Sequence, residues 1–328
     1  MRDTLNDMQL YLVDEFVEDY QEGLLTRRQV LKRIAAISGS MLFATSVLAA
    51  CGDVQATAAP TAAATATTAA TTAAGAAPTA AATAPPAPAG VNVAENDPAV
   101  TAAMVEFPGA DATLMGYLAR PAGDTPAPII LVCHENRGLT PHIQDVTRRL
   151  AKAGYVALAV DLLSRQGGTA AITNSDDVSG FLGQMPEGQP VQDFQSGLAY
   201  VKGQPFADGS KVGMVGFCYG GGVTWRVATK TPELKAAVPF YGPAPQVADV
   251  PGIQAAVLAI YAEQDERINA GIAEIEAAMQ ANSKTFEKEI YPGVNHAFHN
   301  DTGTRYSPDQ AQAAWSRTLA WFEQYVKA

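Results

Sequence analysis

The stretch Val215-Gly216-Phe217-Cys218-Tyr219-Gly220-Gly221-Gly222 sets a cysteine two residues from a glycine on each side, the G-x-nucleophile-x-G spacing of a strand-to-helix elbow. The spacing has a mechanical cause. A chain that turns sharply from strand into helix holds its central residue in a strained conformation, and the neighbours must lack bulk. The helix start that follows offers backbone N–H groups and a positive dipole end, which favour a thiolate and a developing oxyanion. Lys211-Val212-Gly213-Met214-Val215 reads as the buried strand feeding the turn, and Val223 to Ala228 as the helix leaving it. The same string also describes a tight turn around a buried structural cysteine, so residues elsewhere must decide between the two.

On both sides of the elbow, strand and helix patterns alternate. Met104 to Arg120 suggests paired strands with a turn at Pro108-Gly109-Ala110-Asp111. Pro128 to Cys133 is a continuous apolar run ending in the polar loop His134-Glu135-Asn136-Arg137-Gly138, a buried parallel strand followed by a loop suited to chemistry. A helix over Ile143 to Ala153 closes at Gly154, and Tyr155 to Asp161 is a second buried strand. Leu163 to Gln189 is polar, glycine-bearing and irregular, as a loop or lid would be. Asp193 to Lys202 then reads as a helix, Ala236 to Gly242 and Ala256 to Tyr261 as strands, Ala270 to Ala281 as a helix, Thr285 to Tyr291 as a strand and Pro308 to Val326 as a closing helix. This alternation calls for an α/β fold, a mostly parallel central sheet with helices on both faces and ligands at the carboxyl ends of the strands.

A cysteine at an elbow needs a base, and histidine is the natural one. His296 follows a predicted strand in Gly293-Val294-Asn295-His296-Ala297-Phe298, and Asp265 follows another, where a carboxylate can orient the imidazole. Alone, either residue is as ordinary as a turn former or a core histidine; three such residues at three strand ends, in the chain order nucleophile, acid, histidine, form a candidate triad.

These segments together resemble the dienelactone hydrolase, or carboxymethylenebutenolidase, family of α/β-hydrolases over roughly residues 105–326. The resemblance implies an α/β-hydrolase fold and hydrolysis of a small ester or lactone through a thioester on Cys218, with His296 and Asp265 completing the triad and no metal or organic cofactor. It implies that Glu135 holds the resting cysteine proton and that the backbone N–H groups of Tyr219 and Asn136 form the oxyanion hole. Arg165 matches one of two arginines that bind a substrate carboxylate in the family; the second should lie four residues after the histidine, where this chain has Asn300, with Arg137 and Arg267 as neighbours able to compensate. Other readings stay open: a broad-specificity carboxylesterase, a non-catalytic binding lipoprotein, or a redox pair of Cys133 and Cys218, although Cys133 reads as a buried strand residue. His134 and His142 lack the company a zinc site requires.

The chain of 328 residues carries a formal net charge of -11, which gives nucleic acid nothing to bind. Residues 1–50 read as a signal region. Thr26-Arg27-Arg28-Gln29-Val30-Leu31-Lys32 resembles a twin-arginine export motif, the apolar run Ile34 to Ala50 follows, and Leu48-Ala49-Ala50-Cys51 resembles a lipobox in which Cys51 would be lipidated. The alternative, a single membrane span, has a run at the short end of what a bilayer needs. Residues 51–91 are almost entirely Ala, Thr, Pro and Gly, the composition of a disordered tether, and 92–328 would form the catalytic domain. The expectation is an exported, lipid-anchored monomer acting on small molecules. Before the export motif, Leu5, Met8, Leu12, Val13, Phe16 and Val17 mark one face of an amphipathic helix to which the sequence assigns no role.

Overall fold

The computed structural model describes residues 4–50 and 92–328, so the expected tether and Cys51 lie outside the described residues. Three helices come first: α1 (Asp7–Gln21), α2 (Arg27–Ser38) and α3 (Met41–Ala50). Asn6 and Gln9 close a capping box on α1, and Thr26 and Gln29 close another on α2, so each helix begins with two of its free N–H groups satisfied. The apolar run from Ile34 to Ala50 is not one helix. Gly39 takes the left-handed conformation that ends α2, and α3 starts afresh. Among the described residues no helix is long and apolar enough to cross a membrane.

The rest of the described chain alternates as the pattern predicts. A hairpin of β1 (Val100–Pro108) and β2 (Thr113–Pro121) leads to β3 (Ala127–Cys133), α4 (Pro141–Lys152) and β4 (Val156–Asp161). Then come α5 (Ser175–Gln184), α6 (Gln189–Lys202), β5 (Ala207–Phe217), α7 (Tyr219–Lys230), β6 (Ala236–Phe240), β7 (Ala256–Ala262), a single turn α8 (Glu266–Asn269), α9 (Ile272–Ala281), β8 (Phe286–Tyr291) and α10 (Pro308–Phe322). The eight strands form one sheet in the order β1-β2-β4-β3-β5-β6-β7-β8, antiparallel over the first three strands and parallel from β4 to β8. Every residue of β4 and of β7 is buried, which explains why these strands read as unbroken apolar runs rather than alternating ones.

Two details place the site. After β3 the chain moves to one side to make β4, then returns to the other side to make β5, so the switch point of the sheet lies between β3 and β5, where α/β sheets bind ligands. Their registered ends, Cys133 opposite Gly216, deliver the His134 loop and Cys218 side by side. The segment expected to be irregular between 163 and 189 contains α5 as well as two short 3-10 turns. Asn174 caps this helix, and its face packs on α2: Arg33 pairs with Asp176 at 2.6 Å, and Gln184 Nε2 donates to the Ala36 carbonyl at 2.8 Å. Those partners lie over a hundred residues away, so no local pattern could announce them. Cys133 and Cys218 are both buried and free, so the two do not form a disulfide here.

Candidate active site

Cys218 occupies the elbow between β5 and α7 with φ 58° and ψ -122°, a conformation that only a tightly determined surrounding holds in a residue with a side chain. Its N–H donates to the Phe240 carbonyl at 3.1 Å, and its own carbonyl accepts from Gly221 N at 2.9 Å. The glycines around it have no room for more. A Cβ on Gly220 would meet the His134 and Cys133 carbonyl oxygens at 2.5 and 2.6 Å, which is how α7 comes to start directly against the end of β3. Tyr219, whose N–H is one expected oxyanion donor, is the first residue of α7; the Asn136 N–H, the other, hydrogen-bonds the Cys218 thiol from the loop after β3.

Asp265 and His296 arrive on the loops after β7 and β8, which are tied together by Gln264 N to the Val294 carbonyl at 3.0 Å and Gly293 N to Glu263 Oε2 at 2.7 Å. Asp265 caps α8 through Ile268 N and offers its second oxygen to His296 Nδ1 at 2.6 Å, while the Tyr241 ring lies 4.9 Å from the imidazole, centre to centre. Burial works to lower the His296 pKa, but the Asp265 charge and hydrogen bond, helped by Glu15, outweigh it and hold the value above the ordinary one. The reciprocal holds for Asp265: burial would raise its pKa, and the His296 interaction, with Arg267, brings it below the usual carboxylate range. The structure therefore brings Cys218, His296 and Asp265 to one place.

It also brings there two residues that the sequence reading did not assign. Tyr11 and Glu15, one turn apart on α1, reach the reaction centre. The Tyr11 hydroxyl stands 3.3 Å from Cys218 Sγ and 3.5 Å from His296 Nε2; Glu15 Oε1 stands 3.3 Å from the same sulfur and accepts from Asn136 Nδ2 at 2.8 Å. Burial pushes the Cys218 thiol well up, the Glu15 and Glu135 charges push it further, and the Tyr11 and Asn136 hydrogen bonds only partly oppose them. The sulfur is thus held as a neutral thiol. The amphipathic spacing in Leu5 to Val17 was the available signal for α1, and Tyr11 and Glu15 fall on its buried face with Leu12 and Phe16.

The remaining expected residues separate. Glu135, read from the family pattern as the partner of the cysteine proton, is turned to Asn300, which donates to its Oε2 at 2.6 Å; in its place beside the sulfur stands Glu15. Asn300, at the position expected for a second arginine, is thus a partner of Glu135. Arg137 is exposed and lines a cavity of about 590 Å³ that contains Cys218, His296, Glu135 and Asn300. Arg165 is not in that lining: it pairs with Asp193 at 2.8 Å and with Asp111, which raises its pKa and commits its guanidinium elsewhere. Arg267 lies behind Tyr11, 4.6 Å from the centre of its ring, and pairs with Glu18 at 3.1 Å. Among the described residues, the group of donors close enough to share a metal ion is Glu15, Cys218 and His296, whose atoms lie within 4.8 Å of one another; Glu15 is contributed by α1.

A nucleophile elbow at the switch point of a mostly parallel sheet, with a histidine and a carboxylate on later strand ends, defines an α/β-hydrolase. A model of the dienelactone hydrolase family matches residues 114–326, and the chain belongs to that family; it is a hydrolase acting on ester bonds. It is 37% identical over 249 residues to "Putative carboxymethylenebutenolidase" of Methylorubrum extorquens, covering 72% of this chain and 86% of that protein. A protein of the same name from Escherichia coli is 31% identical over 250 residues, covering 72% of this chain and 92% of the relative. The solved "Putative Dienelactone Hydrolase" of Klebsiella pneumoniae is similar with a TM-score of 0.65 and 32% identity, covering 69% of this chain and 100% of that one. The family match begins at residue 114, so α1, α2 and α3 lie outside it.

Proposed function

We propose that the protein hydrolyses a small ester or lactone through a Cys218-His296-Asp265 triad and a thioester intermediate. The thiol gives its proton to His296 Nε2 as Sγ bonds to the carbonyl carbon, and the carbonyl electron pair moves to an oxyanion received by the Tyr219 and Asn136 N–H groups. Collapse of that intermediate breaks the bond to the alcohol oxygen, which leaves with the proton held on His296. Water then attacks the thioester, giving a proton to His296, and the second collapse releases the acid and returns the sulfur to the thiol. Asp265 keeps the imidazole oriented and stabilises its charged form.

The observation that carries this reading is the 2.6 Å bond from His296 Nδ1 to Asp265, with the ring's other nitrogen turned to the Tyr11 hydroxyl that also touches Sγ. Arg165 is committed to two aspartates and Asn300 to Glu135, so a small ester that needs no paired-arginine clamp suits this arrangement, and Arg137 is the expected arginine that lines the cavity. The test is to quench turnover of p-nitrophenyl acetate and map the acyl group by mass spectrometry. An acetyl group on Cys218 is the expected result. Hydrolysis that proceeds with the label on another residue removes the thioester mechanism.

We propose further that residues 1–50 direct twin-arginine export and that a lipid on Cys51, followed by the 51–91 tether, holds a monomeric 92–328 domain outside the membrane. Arg27 and Arg28 support this reading, since both are exposed on the first turn of α2 and free to meet a receptor. Cys51→Ala is expected to move the protein from the membrane fraction to the soluble one; equal membrane retention of the variant excludes the lipid anchor.

A further inference from the structure

We infer that the catalytic cleft is a binding groove for an acidic amphipathic helix, that α1 is its ligand, and that the enzyme is silent while α1 is seated. The inference rests on the proposed triad for what is silenced, but the seating itself is independent of it.

The first support is occupancy. A carbonyl carbon must come within about 3–3.5 Å of the sulfur to react. Tyr11 Oη and Glu15 Oε1 already stand 3.3 Å from Sγ, and Glu15 also holds Asn136, the residue whose N–H is proposed for the oxyanion. Cys218 is left only 3% exposed. The second is chemical: a carboxylate beside the thiol opposes the thiolate that the reaction needs.

The third support is the shape of the groove. Glu15 and Asp19 line the 590 Å³ cavity on one side of α1, while Asp7, Tyr11 and Asp14 line a second cavity of about 400 Å³ on the other side, bounded by the Pro243–Val247 segment and Arg267. α1 lies between them as a partition. Both cavities are lined by the helix, and Cys218, in the lining of the larger one, lies beside its Tyr11 and Glu15.

Complementary charge holds the helix in place. Glu18 pairs with Arg267 at 3.1 Å; Asp19 and Glu22 pair with Arg305 at 2.9 and 2.6 Å. Leu12, Val13 and Phe16 are buried beneath. Seating is nevertheless imperfect at the centre: Glu15 Oε2 and both terminal nitrogens of Arg267 are buried without a hydrogen-bond partner. Such groups are costly to leave unmade, so the docked state contains the means of its own release. α1 is joined through α2 and α3 to Ala50, next to the expected processing site at Cys51. Cleavage there would detach the whole device, and the exposed Arg27-Arg28 pair remains readable while the site is closed.

The experiment compares the full chain with the full chain carrying Glu18→Arg, Asp19→Arg and Glu22→Arg, which repel Arg267 and Arg305 without changing a reacting group. The readouts are the rate of Cys218 alkylation by iodoacetamide, mapped by mass spectrometry, and p-nitrophenyl acetate hydrolysis. If α1 is seated in at least about nine molecules of ten, both rates rise about tenfold or more on release. The chain beginning at residue 92, which contains the whole family match, should behave like the charge-reversed chain. A synthetic peptide of residues 4–23 should slow its alkylation again, and the same peptide with Tyr11→Ala and Glu15→Ala should not. Faster alkylation without hydrolysis in any form supports the seating and removes the esterase reading. Equal alkylation rates in the full chain, the charge-reversed chain and the chain from residue 92 overturn the inference, whatever their hydrolysis.

Discussion

In the chain carrying Glu18→Arg, Asp19→Arg and Glu22→Arg, where α1 is released, Cys218→Ala is expected to lower kcat/KM for p-nitrophenyl acetate by at least about a thousandfold, the loss typical when a nucleophile is removed but the oxyanion donors and binding surface remain. The argument is local. The other reactive groups at the sulfur are Tyr11 and Glu15, which belong to α1, and His296, whose removal is tested beside it. His296→Ala should fall by a similar factor, and the double variant should fall scarcely further, since two groups that act as a unit lose their effect together. A Cys218→Ala protein within about tenfold of that charge-reversed parent would show that ester cleavage occurs elsewhere on the molecule.

Gly216→Ala should be the most damaging single methyl group in the sheet. A Cβ there would fall well inside contact distance of the Gly220 carbonyl and the Thr224 hydroxyl. Neither can withdraw, because Gly220 is itself pressed against the ends of β3 and the Thr224 hydroxyl is bonded to the Gly220 carbonyl at 2.8 Å. Overpacking that the surroundings cannot absorb ranks with the severe class of core substitutions, about 4 kcal/mol or more. For a domain of this size that is a fall in Tm of roughly 8 °C or more, measurable by calorimetry. A fall below about 3 °C would mean that the elbow is far more compliant than its contacts indicate.

The strands and the triad were legible because their signals are local. β4 and β7 are continuous apolar runs; Cys218 and Asp265 each follow a strand that ends in a buried run, and His296 follows the more exposed edge strand β8, all where the parallel topology collects side chains at one edge. What escaped depends on pairings over long separations. Tyr11 and Glu15 meet Cys218 across 207 and 203 residues, and nothing in an amphipathic stripe says which surface it will cover. Arg165 has the right charge for a carboxylate ligand, but Asp111 and Asp193, 54 and 28 residues away, claim it first. The same cause hid α5: its caps and polarity suit a loop, and its stability comes from the face it shares with α2.

The registered pair Cys133 and Gly216 has a further consequence, for positional tolerance. The proposed oxyanion donors follow the ends of β3 and β5, two adjacent central strands, so the elbow that carries Tyr219 and the loop that carries Asn136 start from points whose separation is inherited from a ladder of backbone hydrogen bonds. A slip of one residue would send every side chain of the strand to the opposite face, an error the buried β3 cannot absorb. Latitude in this centre is therefore confined to the groups on loops and on α1. The elbow half of the oxyanion site is as fixed as the sheet, and the parts that admit, exchange or exclude what binds there are the ones free to vary.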